Sequence, residues 1–167
     1  MYYVFRVLNP EDEHFVRDYC LTPCMSFLEF HHFLRRDLQL EGVGLASFFT
    51  TTEDYQPLME LTEMDMENDT DLPAIPMEQI LVREVVNEVG QRLIYCFDIL
   101  SERNLTLELT EKREAGSGTV SCIFAEGENP SASGDELATN RADIELLRMM
   151  IGAEDEDYEE DDELYDE

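Results

Sequence analysis

Fourteen consecutive residues, Glu154 to Glu167, hold eleven carboxylates and no Lys or Arg. Like charges at that density repel, and only Tyr158, Leu164 and Tyr165 offer apolar surface to set against the loss of chain entropy. The sequence therefore predicts a disordered acidic tail over residues 153–167. It follows a single α+β domain over 1–152, whose core spans about 2–125.

The charge is not confined to the tail. Forty acidic residues face eleven basic ones, so the chain carries −29, and −18 remains once the eleven carboxylates of the block are set aside. Nucleic-acid binding rests on Lys and Arg neutralising phosphates. This field repels DNA, RNA and anionic membrane, and it favours a basic protein partner. Arg35-Arg36 is the one local exception.

Met1-Tyr2-Tyr3-Val4-Phe5-Arg6 lacks the charged start and long apolar stretch of a secretory signal. No apolar run approaches the ~18 residues needed to span a membrane. A cytoplasmic location is expected, with Cys20, Cys24, Cys96 and Cys122 reduced. Cys96 and Cys122 lie in apolar strand-like runs, where a thiol behaves as a small buried hydrophobe.

Local signals give the order of elements. Tyr2–Leu8 reads as a strand stopped by Asn9-Pro10, and His14–Cys20 as its hairpin partner. Ser26 and Glu29 have capping-box spacing, with Met25 and Phe30 placed as a hydrophobic staple. Phe27, Phe30, Leu34 and Leu38 continue as a helical stripe, and Gly42 is placed to stop it. Leu45–Thr51 reads as a strand. Residues 53–74 alternate Met or Leu with acids, a solvated strand running into a loop near Pro73. A second helix is expected from Pro76 to about Val89, with Leu81, Val82, Val85 and Val89 inward and Gly90 as its stop. Leu93–Phe97 and the strictly alternating Leu105, Leu107 and Leu109 form a hairpin across Ser101–Asn104, followed by a strand at Val120–Phe124. A short helix is predicted over 141–151.

This order, with Val89-Gly90-Gln91-Arg92-Leu93-Ile94-Tyr95-Cys96-Phe97 and the Leu105–Leu109 strand, resembles the Ri-plasmid ORF-three-like family. Its members are also labelled TnpR-like passengers of insertion elements. The resemblance covers roughly residues 2–132. Tyr95 and Phe97 match the family's Tyr-Asp-Phe-Gly-Asp strand end, whereas Cys96, Asp98 and Ile99 stand at its Asp, Gly and Asp positions. The family's Pro-x-x-Trp-Arg-Arg signature is missing, and the chain has no tryptophan. The resemblance implies a fold and no activity.

Cys20 and Cys24 with His31 are the candidate metal ligands, set against a plain structural role for each. The adjacent His31 and His32 point about 100° apart on a helix and do not easily serve one ion. Asp65-x-Glu67-x-Asp69-x-Asp71 echoes a calcium loop, but Thr70 and Pro76 stand where it needs Gly and Glu. Gly116-Ser117-Gly118-Thr119 lacks the lysine of a phosphate loop. No catalytic residue and no cofactor is assigned.

The expectation is a mixed sheet of five or six strands with two main helices on one face, resembling a β-grasp-like roll. Its core is Val4, Val7, Phe27, Phe30, Leu34, Phe48, Leu81, Val85, Ile94, Phe97, Leu107 and Leu109. The expected function is a non-catalytic interaction module that holds a basic protein through the acidic surface and tail. Tyr158, Leu164 and Tyr165 would be the anchors. The alternatives are a DNA mimic that occupies a nucleic-acid-binding protein, and a metal protein or enzyme using the Cys20/Cys24/His31 region.

Overall fold

The computed structural model describes residues 1–64 and 71–131. Met1–Ala132 form one compact unit. The predicted 141–151 helix, the tail with Tyr158, Leu164 and Tyr165, and most of the Asp65–Asp71 loop lie outside the described residues.

Strands β1 (Tyr2–Asn9) and β2 (Asp12–Leu21) form the predicted antiparallel hairpin. At its turn the Asn9 side chain accepts the Glu11 N–H at 3.0 Å, replacing a bond the ladder no longer supplies. Helix α1 (Phe27–Asp37) follows. Its capping box is reciprocal: Glu29 N–H donates to Ser26 Oγ at 3.2 Å, and Ser26 N–H donates to Glu29 Oε2 at 2.8 Å. Ser26→Ala is expected to lose about 1 kcal/mol of stability, read as a lower urea midpoint at unchanged slope.

The helix stops before Gly42. Gln39 takes a left-handed φ of 56°, so the chain turns there. Leu34 and Leu38 share the helical stripe but Leu40 does not, and the turn lets both Leu38 and Leu40 reach 0% exposure. Burying a second leucine stabilises by about 1.5–3 kcal/mol, enough to offset the ~1–2 kcal/mol of a left-handed non-glycine.

Strands β3 (Ser47–Thr51) and β4 (Pro57–Thr62) pair antiparallel, and β5 (Ala74–Pro76) adds to β4 in parallel. After a 3-10 turn at Met77–Gln79 comes a single helical turn, α2 (Val82–Val85). Strands β6 (Arg92–Asp98), β7 (Arg103–Arg113) and β8 (Val120–Glu126) complete one mixed sheet, in the order β5-β4-β3-β6-β7-β1-β2-β8. The fold is α+β as expected, but the strand count is corrected from five or six to eight among the described residues.

The helix predicted from Pro76 to Val89 shrinks to these two short turns. Ile80, Val82, Val85, Val86 and Val89 are β-branched and stiff at χ1, which weakens helix. Tertiary pairing then decides the matter: Phe27 N–H donates to Ile80 O at 3.1 Å and Val82 N–H to Met25 O at 2.9 Å. This segment therefore splints the start of α1. Val82 and Val86 are buried, Leu81 and Val85 are half-buried, and Val89 is 58% exposed.

Register places the core on one sheet face. Leu61, Phe48, Tyr95 and Leu105 lie in one row across the sheet, Leu93, Leu107 and Val7 in a second, and Leu109, Phe5 and Tyr19 in a third. All are buried, and the α1 stripe Phe27, Phe30, Leu34 and Leu38 joins the same cluster. The other face is only partly covered: Val4, Cys20 and Cys96 are buried there outside the main cluster, whereas Leu8, Val16, Phe49 and Ile94 are not, beside the ion pairs Arg6–Asp18 at 2.8 Å and Arg92–Glu108 at 3.3 Å. Of the predicted core, Leu81, Val85 and Ile94 fall short of full burial. Ile94 does so because it points to the open face. No helix among the described residues is long and apolar enough to cross a membrane.

Candidate functional site

The structure does not gather the predicted metal ligands. Cys20 is buried on β2 opposite Val4, Cys24 is exposed ahead of α1, and His31 is 1% exposed with both ring nitrogens engaged. Cys24 Sγ lies 3.6 Å from an Arg83 guanidinium nitrogen. Among the described residues no group of three His, Cys, Asp or Glu side chains is placed to hold a metal ion. Of the two strand cysteines, Cys96 is buried, and desolvation pushes its thiol up to about 11. Cys122 is exposed, against expectation, because β8 is the edge of the sheet.

His31 instead closes a polar chain beneath an open cleft of about 490 Å³. Its Nδ1 is 2.8 Å from Tyr95 Oη, and its Nε2 is 3.3 Å from Glu63 Oε1. A neutral ring protonated on Nε2 satisfies both contacts: it accepts from Tyr95 and donates toward the carboxylate. The other Glu63 oxygen accepts the Ala46 N–H at 3.0 Å. One helical turn further, the buried Arg35 guanidinium donates to the Leu40 carbonyl at 3.0 Å and to those of Val43 and Gly44. Together His31, Glu63 and Arg35 hold the 38–46 loop against α1. His32, Arg36 and Glu41 line the cleft above them.

Burial is the main reason that His31 is lowered from its ordinary 6.5 to about 4; Glu63 opposes the shift and Arg35 adds to it. Desolvation also raises Tyr95 above the usual phenol range. In the unfolded chain His31 takes up a proton as the pH falls through 6.5, while the folded protein resists until about 4. Its contribution is therefore complete above 6.5 and is lost progressively down to about 4. The urea midpoint should fall across that window, and His31→Gln should flatten this part of the profile.

The second feature is how the cations are used. Arg17 is buried and donates to the carbonyls of Val16, Glu126 and Gly127, with its guanidinium 4.5 Å over the Phe15 ring. Arg6, Arg92, Arg103 and Arg113 pair with Asp18, Glu108, Glu11 and Glu111. Lys112 donates to the Asn87 carbonyl. Arg35 is spent on its loop, so the Arg35-Arg36 dipeptide leaves only Arg36 exposed. Glu13, Glu41, Glu78, Glu88, Glu126 and Glu128 meanwhile stay exposed.

Sequence reasoning missed the His31 chain because its partners lie 64 residues away at Tyr95 and 32 away at Glu63. One signal was available: a tyrosine inside the apolar Leu93–Phe97 run needs a partner for its hydroxyl.

No family model matches the chain, and no curated protein matches it. The fold is similar to the crystal structure of a protein of unknown function, MM3350, from Methanosarcina mazei Go1, with a TM-score of 0.64 at 14% identity. That likeness covers 88% of this chain and 81% of the other. It establishes a shared fold and carries no activity.

Proposed function

We propose that the protein is a non-catalytic interaction module whose acidic surface holds a basic protein. One observation carries this reading. Among the described residues Arg17 and Arg35 are buried on backbone carbonyls, and Arg6, Arg92, Arg103 and Arg113 are paired with carboxylates at the surface, while the excess carboxylates face solvent. A surface built in that way attracts basic partners over several ångströms and rejects nucleic acid. The block at Glu154–Glu167, with Tyr158, Leu164 and Tyr165, adds charge and three apolar anchors to the same field. The layout likeness to the Ri-plasmid ORF-three-like family brings no activity to carry over.

The test is affinity capture with the full chain and with a version cut after Gly152, eluted in a salt series and identified by mass spectrometry. Retained proteins should be basic and should elute between about 0.1 and 0.5 M salt, where the Debye length falls from ~10 Å toward 3 Å. Loss of binding on truncation would place docking in the acidic block, and equal retention would place it on the folded surface. Partners that survive high salt would overturn the reading. If the captured proteins bind DNA and lose it to this chain in competition, the DNA-mimic alternative gains.

A further inference from the structure

We infer that the outer edge of β8 is a docking site for an extended basic segment of the partner, which adds to the sheet as a further strand. The inference rests on the acidic-module reading and narrows it to one surface.

Among the described residues strand β8 is the last of the sheet and pairs only with β2. One side of its backbone therefore has no ladder partner among the described residues. Edges of this kind are commonly blunted by lysine or proline. Val120-Ser121-Cys122-Ile123-Phe124-Ala125-Glu126 contains neither. Five of its seven residues are exposed, among them Ile123 at 43% and Phe124 at 46%. Its one irregularity is a bulge: Asp18 faces Phe124 and Tyr19 faces Cys122, which leaves Ile123 unpaired. The bulge shortens the regular ladder to about three residues on either side, so backbone bonds alone give an incoming strand modest affinity. Side chains and charge must supply the rest.

The surroundings say which strand fits. Exposed Glu126 ends β8, and exposed Glu128 follows it. Val16 faces Glu126 across the ladder, and the neighbouring turn of β2 brings Glu13, whose side chain is 89% exposed. Arg17, which donates to the Glu126 and Gly127 carbonyls, is buried and makes no ion pair with these glutamates among the described residues. From Glu126 the row Val16, Leu8, Thr106 crosses the open face. It leads to a mostly apolar groove of about 390 Å³ that Leu8, Phe15 and Thr106 line and Asp12 and Glu13 rim. The edge is thus apolar along Ile123–Phe124 and anionic at its Glu126 end. A second copy of this chain would bring its own −29 to the same place, so charge selects against self-pairing. The complementary partner alternates β-branched or aromatic residues and carries Lys or Arg where it meets Glu13, Glu126 and Glu128.

The test uses a displayed library of random peptides of about twelve residues, long enough to lie along one strand, selected on the full chain. Enriched peptides should combine β-formers with Lys or Arg, and their binding should slow amide exchange in β8. Phe124→Lys and Glu126→Lys change exposed side chains, so the fold should survive, as near-ultraviolet circular dichroism would verify. Each should weaken the peptides by about tenfold or more. Basic peptides that protect amides elsewhere would overturn the β8 site and leave the acidic module standing. Peptides that protect β8 without Lys or Arg, at salt-independent affinity, would overturn the charge reading on which the inference rests. A dimer in sedimentation that Phe124→Lys abolishes would make the edge a self-association surface instead.

Discussion

Arg35→Met should destabilise the protein by about 3–5 kcal/mol, roughly the cost of leaving two or three buried carbonyls without a donor. The guanidinium is held within α1 and donates to Leu40, Val43 and Gly44, three carbonyls of one loop. Methionine keeps most of the side-chain volume and supplies no donor. Each carbonyl that stays buried then costs about 1–3 kcal/mol, and any that swings out to water takes the loop with it. Arg35→Lys should recover only part of the loss. It restores the charge, but an ammonium is a single point where the guanidinium presents a planar fork. Urea denaturation gives the stabilities, and amide exchange at 40–46 gives the local effect. A loss under about 1 kcal/mol with an undisturbed loop would mean that water replaces the guanidinium freely and that Arg35 does not hold this segment.

What was legible in the sequence was whatever short-range chemistry decides. The capping box at Ser26 and Glu29 is complete within four residues, and it formed as read. Leu105, Leu107 and Leu109 alternate because one face of β7 is buried and the other is not, so the pattern gave both strand and facing. The errors share a different cause. The segment after Pro76 has helical spacing, yet its backbone is captured by residues 25–27, more than fifty positions earlier. The edge position of β8 is likewise a property of sheet order, so nothing within Val120–Glu126 could reveal that Cys122 faces solvent. The candidate site was less legible than the fold. The sequence sets His31 beside Cys20 and Cys24, which are close along the chain, whereas its partners Tyr95 and Glu63 are close only in space. In the sequence Arg35 is half of a basic patch, and burial converts it into a brace.

Phe48→Ala is the other large effect, at about 3–5 kcal/mol for a fully buried phenylalanine. Its ring is 0% exposed on β3 and sits 5.1 Å from Phe27, 5.7 Å from Phe30 and 4.7 Å from Tyr95, centroid to centroid. It therefore joins the helix stripe to the sheet. Phe48→Leu, which keeps most of the apolar volume, should lose only about 1.5 kcal/mol or slightly more. The two substitutions separate volume from ring contacts, each aromatic pair being worth about 0.5–1.5 kcal/mol beyond its area. Phe48 also bears on the polar chain, because the Tyr95 ring that packs on it carries the hydroxyl bonded to His31. Removing Phe48 should free that ring to tilt and so lengthen the bond, which is 2.8 Å in the native protein. A double-mutant cycle between Phe48→Ala and His31→Gln should accordingly show a coupling of about 1 kcal/mol, within the range for residues that share a partner. Additivity to within about 0.3 kcal/mol would instead make the aromatic cluster and the cleft independent structures. The low-pH loss of stability would then belong to the His31 chain alone.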